Sequence, residues 1–241
     1  MTIQVNLFLS CVLASFFSIS SLGVYAQDNA LTTQEKADGW QLLFNGKDFE
    51  GWTSTKGTSP DVSWKIENGQ LSLKGAGGKQ HLDIISAAEY SDFDLRVDFK
   101  LTEGANSGIK YFFTRYSEGG WLGMEYQLID NDRHPDAKLG RDGNRQLSAL
   151  YDMLAVKKKV PVKVGEWNQA RVVAKGSQVS HYLNGQEVLR YDRKSPAFEK
   201  ARQLSKFKEA KPAFGSVNKG HILLQDHGDI VYFKNVKIKA L

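Results

Sequence analysis

Glu125 and Gln127 stand two residues apart in the run Gly123-Met124-Glu125-Tyr126-Gln127-Leu128-Ile129-Asp130. Read as a strand, this run sends Met124, Tyr126 and Leu128 to one face and Glu125, Gln127 and Ile129 to the other. A strand is a rigid mount for a carboxylate. Glu125 can act there as a general acid or base beside an amide that binds hydroxyls. An ordinary wet strand face would look the same. The loop that follows, Asn131-Asp132-Arg133-His134-Pro135-Asp136, carries an imidazole that titrates near neutrality. It also has the composition of a plain turn. In Leu224-Gln225-Asp226-His227-Gly228-Asp229, Gln225 and His227 share a face. Asp226 points the other way and is a further candidate for holding substrate.

Other candidates sit in Asn106-Ser107-Gly108-Ile109-Lys110-Tyr111-Phe112-Phe113-Thr114-Arg115. Asn106 marks a turn into a strand, Lys110 is expected on the face of Phe112 and Thr114, and Arg115 ends the strand. Either cation suits an oxyanion, and Arg115 also suits a carboxylate or hydroxyl. Tyr151 adds a phenol. Each of these taken alone is more often packing than chemistry. No cofactor is expected. A divalent ion on Asp130, Asp132 and Asp136 stays open, although their spacing matches no EF-hand loop.

The elements that must hold these residues are strands. Phe93 to Leu101 alternates apolar and charged residues, the mark of an antiparallel strand with one wet face. Ser63 to Glu67 and Gln70 to Lys74 flank Asn68-Gly69. Val179 to Leu183 and Glu187 to Tyr191 flank Asn184-Gly185. Both pairs read as tight hairpins, because the turn needs positive φ at both centres. Trp40 to Phe44, Ile109 to Arg115, Gly123 to Ile129, Leu147 to Met153, Asn168 to Lys175, Ile222 to Gln225 and Ile230 to Lys239 are further strands. One helix is expected over Ala197 to Glu209, capped by Ser195 with Pro196 in its first position. So many short strands with turn punctuation predict an all-β sandwich of two antiparallel sheets.

The first 26 of the 241 residues contain no Asp, Glu, Lys or Arg. Their apolar run, Val5 to Ile19, and the ending Val24-Tyr25-Ala26 have the form of a signal peptide. We therefore expect an exported, periplasmic or secreted protein with no membrane span after cleavage. Cys11, the sole cysteine, lies in that leader. Residues 27–38 read as a polar tether and 39–241 as one domain. The net charge of +5, from 32 basic and 27 acidic residues, includes local runs such as Lys157-Lys158-Lys159. These read as solvated surface, and no nucleic-acid module accompanies them. No nucleophile elbow, phosphate loop, dinucleotide fingerprint or zinc spacing is present.

Taken in order, several segments resemble the 3-keto-disaccharide hydrolase domain family. They are Leu43-Phe44-Asn45-Gly46-Lys47-Asp48 with Gly51-Trp52, Asn106-Ser107-Gly108-Ile109, Glu125 to Asp130, Ala149-Leu150-Tyr151, Gly165-Glu166-Trp167-Asn168, Leu183-Asn184-Gly185, Leu224 to Gly228 and Phe233 to Ile238. The resemblance implies a concanavalin-like jelly roll and cleavage of glycosides whose sugar carries a ketone at C3. Lys110 to Thr114 lengthens its region relative to many relatives, and the helical insert is long. A C3 ketone acidifies the C2 proton, so a base can form an enolate and expel the C1 oxygen. Glu125 or His134 would be the base, and the other residue or His227 the acid. Arg115, Lys110 or a metal would meet the enolate oxygen. Gln127, Tyr151 and Asn106 would bind hydroxyls. A non-catalytic carbohydrate-binding module and an ordinary two-carboxylate glycosidase are the alternatives; either way the partner is a carbohydrate.

Overall fold

A computed structural model describes residues 1, 27–75, 82–117 and 120–241. The leader and Cys11 lie outside the described residues. Among those described, no helix is long and apolar enough to cross a membrane.

The chain forms two antiparallel sheets. The larger contains β11 (Gln186–Asp192), β10 (Gln178–Leu183), β9 (Asn168–Lys175), β6 (Phe93–Leu101), β13 (Val231–Ala240), β4 (Gln70–Leu73) and β3 (Trp64–Glu67), in that order; β1 (Trp40–Leu42) also pairs with β13. The smaller runs β2 (Trp52–Ser54), β5 (Ile84–Tyr90), β12 (Gly220–Leu224), β7 (Asn106–Tyr116) and β8 (Gly120–Ile129). This is the expected concanavalin-like sandwich. The alternation read in β6 buries Phe93, Leu95, Val97, Phe99 and Leu101. Facing them across the core are Ile109, Tyr111, Met124, Tyr126 and Leu128 of the smaller sheet. Each such side chain contributes about 1.5–3 kcal/mol by leaving water. Both Asn-Gly hairpins form as expected, with Asn68, Gly69, Asn184 and Gly185 all at positive φ.

Three expectations change. Leu147 to Met153 is not a strand. It pairs only at bridges from Leu150 to Tyr126 and Leu154, and positive φ at Ser148 and Asp152 breaks it into turns. Its backbone still bonds the free edge of β8: Gln127 N–H donates to Ala149 O, Ser148 N–H to Gln127 O and Tyr151 N–H to Glu125 O. The segment thus seals an edge that would otherwise invite pairing. The helix, α2 (Pro196–Gln203), starts as expected, with Ser195 Oγ accepting from Phe198 N–H, but it stops short of Glu209. Residues 27–38, read as a tether, carry the short helix α1 (Thr33–Ala37) with a capping box. They are fastened to β13 by Asp28–Lys234 at 2.7 Å, by reciprocal bonds between Asn29 and Asn235, and by the Glu35–Lys237 ion pair.

A polar cluster lies inside the core. His181 Nδ1 is 2.9 Å from Ser148 O, and Nε2 is 2.7 Å from Tyr111 Oη. A carbonyl can only accept, so Nδ1 carries the proton and Nε2 accepts from Tyr111. Tyr191 then donates to Tyr111. Burial lowers the His181 pKa to about 4. A histidine depressed from 6.5 is protonated in the unfolded chain before it is in the folded one. Its contribution to stability is therefore whole above pH 6.5 and is lost as pH falls toward 4, by about 3 kcal/mol. Urea unfolding of His181→Gln, compared with wild type across that window, should show a shallower decline in stability with acidification.

Candidate active site

The core-distal face of the smaller sheet carries a cavity of about 180 Å³ lined by Asn106, Lys110, Trp121, Leu122, Gly123, Glu125, Gln127, Tyr151, Lys206, Phe207, Gln225 and His227. A larger hollow of about 320 Å³ lies elsewhere, beneath the 156–164 segment, and holds none of these residues. Period-two geometry explains the site. Tyr126 and Leu128 point into the core, so Glu125 and Gln127 point out of it. In register across β7, Lys110 faces Glu125 and Gly108 faces Gln127. Lys110 Nζ lies 3.6 Å from Glu125 Oε2. Gly108 leaves the room this requires: a Cβ there would stand 2.7 Å from Glu125 Oε1.

The remaining walls come from loops. Arg145 ties Asp136 to Asp152, with contacts of 2.8 Å to each, and packs over the Tyr151 ring. Asp152 Oδ2 accepts the backbone N–H of Lys206 at 2.9 Å. This bridge hangs the segment after α2 over the cavity. Lys206 is exposed as a residue, yet its ammonium sits 4.4 Å over the Tyr151 ring, and partial burial depresses its pKa.

Burial pushes the Glu125 carboxyl above the usual carboxylate range. The charges of Lys110 and Lys206 oppose that rise, and Asp83 adds to it. Burial likewise raises Asp83, whose Oδ1 accepts from Asp226 N–H behind the cavity. Tyr151 is raised by burial and then by Asp136. Two buried amide oxygens of lining residues, Asn106 Oδ1 and Gln225 Oε1, have no hydrogen-bond partner among the described residues. Buried acceptors are seldom left so, and both suit the hydroxyls of a polar ligand.

The family described as the 3-keto-alpha-glucoside-1,2-lyase-like domain matches residues 39–239. The chain belongs to this family. It is 34% identical to a 3-keto-disaccharide hydrolase of Bacteroides thetaiotaomicron, over 90% of this chain and 83% of that protein. Two candidate glycosyl hydrolases of Parabacteroides distasonis share its structure. One is 35% identical over 89% of this chain and 100% of its own, with a TM-score of 0.77. The other is 29% identical over 84% and 99%, with a TM-score of 0.66. Together these relatives support a glycoside-hydrolase function.

Within this 3-keto-glucoside lyase-like fold, Glu125, Gln127, Lys110, Asn106, Tyr151 and His227 share the cavity. His134 stands beside it, its ring 6.2 Å from that of His227. Its Nδ1 accepts from Asp136 N–H, so the proton of the neutral ring is on Nε2. That arrangement suits donating a hydrogen bond rather than abstracting a proton. Arg115 is not brought in; it is exposed, across from Trp121 on the sheet face. Asp226 is buried, and its carboxylate accepts from Leu82 and Gly228 N–H, which makes it a clamp on the backbone. Asp130, Asp132 and Asp136 do not converge: Asp130 accepts from the N–H groups of Gly104, Asp132 and Arg133, while Asp136 serves Arg145. Among the described residues, no group of three or more His, Cys, Asp or Glu could hold a metal ion.

Lys206, Phe207, Asp83 and Arg145 were not foreseen. Lys206 lay in a basic stretch that read as solvated surface. Because Lys110 holds the Glu125 pKa down, Lys110→Met should move the Glu125 titration upward. Carboxyl-carbon NMR of the labelled glutamate, with wild type as reference, measures that shift.

Proposed function

We propose that the protein cleaves the glycosidic bond of sugars already oxidised to a ketone at C3, by elimination across C1 and C2. One observation carries this reading: the cavity presents a single carboxylate, Glu125, with the ammonium groups of Lys110 and Lys206 beside it. A glycosidase of the two-carboxylate kind needs a second carboxyl flanking the scissile bond and an oxocarbenium-like transition state. Among the described lining residues there is no second carboxylate, and positive charge nearby disfavours a growing cation. The same charge favours a growing enolate.

The steps follow from the residues. Glu125 takes the proton from C2, and the electrons of that bond pass toward C3. Lys110 and Lys206 stabilise the oxygen that becomes negative there. As the C3 carbonyl re-forms, a double bond develops between C1 and C2 and the C1–O bond breaks. His227, at the mouth, supplies a proton to the departing oxygen. Addition of water across the new double bond, with its hydroxyl going to C1, its proton to His227 and the Glu125 proton returned to C2, completes a net hydrolysis; without it the protein is a lyase. Gln127, Asn106 and Gln225 hold hydroxyls, and no cofactor is called on. The same proposal places the reaction outside the cytoplasm, on the strength of the charge-free apolar leader. A carbohydrate-binding module would also display the exposed Trp121, but a buried carboxylate of raised pKa is a costly feature for binding alone.

Purified protein should release aglycone from a 3-keto-glucoside and not from the matching glucoside. Binding without release from either would favour the module. Glu125→Gln should lower the rate about 10²- to 10⁴-fold, and circular dichroism checks that this variant, whose Lys110 has lost its partner, is folded. Because the base must be ionised, the wild-type rate should rise with pH through the elevated Glu125 pKa, and the mass of the product distinguishes hydration from elimination. Gly108→Ala should displace the carboxylate and depress turnover, with a stability loss of about 1–3 kcal/mol at most by urea unfolding.

A further inference from the structure

The lengthened stretch in β7 is a β-bulge. Register with β8 holds to Tyr111↔Met124 and resumes at Thr114↔Leu122, so Phe112 and Phe113 together oppose Gly123. Phe112 has a φ of 51°, a conformation that bulky side chains rarely adopt. The neighbouring strands make room for it. A Cβ on Gly220 of β12 would lie 2.5 Å from the Phe112 carbonyl carbon, and one on Gly123 of β8 would lie 3.0 Å from Phe113. A bulge of this kind re-aims a side chain. Phe112 stays in the core against Phe93 and Tyr111, while Phe113 turns to the outer face and packs with Ile85 and Leu223.

On that small apolar base lies Trp121. Its ring is stacked on Phe113 at 5.3 Å and 15°, yet the residue is 39% exposed. It also lines the cavity that holds Glu125. Trp121 and Glu125 share the outer face of β8, four residues or about 13 Å apart, and the residue between them on that face is Gly123. The strand is thus bare of long side chains between carboxylate and indole. The cavity, at about 180 Å³, is small beside common ligand pockets of 300–1,000 Å³. A space of that size suits one sugar ring beside Glu125, and a second ring would extend along the same face to Trp121 at its edge.

We propose that Trp121, laid flat on Phe113 by the β7 bulge, is the platform for the leaving sugar of a disaccharide substrate. A pyranose offers an apolar C–H face that matches an indole held open to solvent. His221, whose ring lies 6.2 Å from that of Trp121, and Glu89, 3.7 Å from His221 Nε2, supply a polar rim for its hydroxyls. The proposal rests on the cleavage reading above and assigns the second ring of that substrate a place.

The test compares a 3-keto-disaccharide with methyl 3-keto-glucoside, which has no second ring. For Trp121→Ala, the ratio of kcat/KM for the disaccharide to that for the methyl glycoside should fall about tenfold, carried by KM, and Trp121→Phe should restore most of it. An unchanged ratio would overturn the platform and leave the cleavage reading intact. Calorimetric binding of the unoxidised disaccharide separates the two ideas. If wild type cleaves neither substrate, the cleavage reading fails; the platform then stands if wild type binds the disaccharide at least tenfold tighter than Trp121→Ala, and falls if the two bind equally or if wild type does not bind. Thermal melting verifies that both variants are folded.

Discussion

A carboxylate held out of water has to be held by a frame that cannot relax away from it, and the Lys110–Glu125 pair sets that demand here. Removing each ion from water costs several kcal/mol, and breaking such a pair would strand the remaining charge. The pair sits directly across β7 and β8, where both backbones are fixed by their ladder. Gly108 gives the carboxylate its space, and residues 148–151 close the edge of β8. The stability spent on the pair comes from the apolar core on the other face of the same strands.

That core also reaches the site through polar contacts. Ser148 O accepts from His181, and Ser148 Oγ pairs with Tyr126 Oη at 2.7 Å. Tyr126 lies between Glu125 and Gln127 on β8, on the opposite face. The strand therefore grips the turn with an inward side chain while aiming two outward ones. Three residues after Ser148, Tyr151 reaches the cavity, and Asp152 anchors Lys206. Displacement of the turn would move the wall and the second ammonium together.

What the sequence disclosed follows from how local each signal is. β6 and the face of β8 were legible because a period of two is written into adjacent residues. The two Asn-Gly hairpins were legible because positive φ restricts the choice of residue. The onset of α2 was legible from Ser195-Pro196, but its end was not, since Phe207, at helical spacing, packs beside the cavity from a turn. β5 was missed: Ile84–Tyr90 buries its first three residues in succession and then exposes the next three, so it shows no alternation. Lys110 was expected to share a face with Phe112, and the bulge separates them. Lys206 was hidden for another reason, because a lysine in a basic run acquires a role only when Asp152, distant in sequence, places its backbone.

The fold alone would serve several reactions, since function lies in the residues mounted on it. Here the sign of the local charge narrows the choice. Two unit charges about 4 Å apart interact by on the order of 4 kcal/mol at an effective dielectric constant near 20. An anion developing beside Lys110 and Lys206 gains from that interaction, and a cation developing at C1 loses by it. Burial raises the Glu125 pKa, and in the proposed reaction this carboxylate takes a carbon-bound proton that a carbonyl has acidified. An intact sugar offers no such proton. On the proposed reading the cavity is matched to a substrate that arrives already oxidised, because an unoxidised glycoside would give the base no acidified proton to remove.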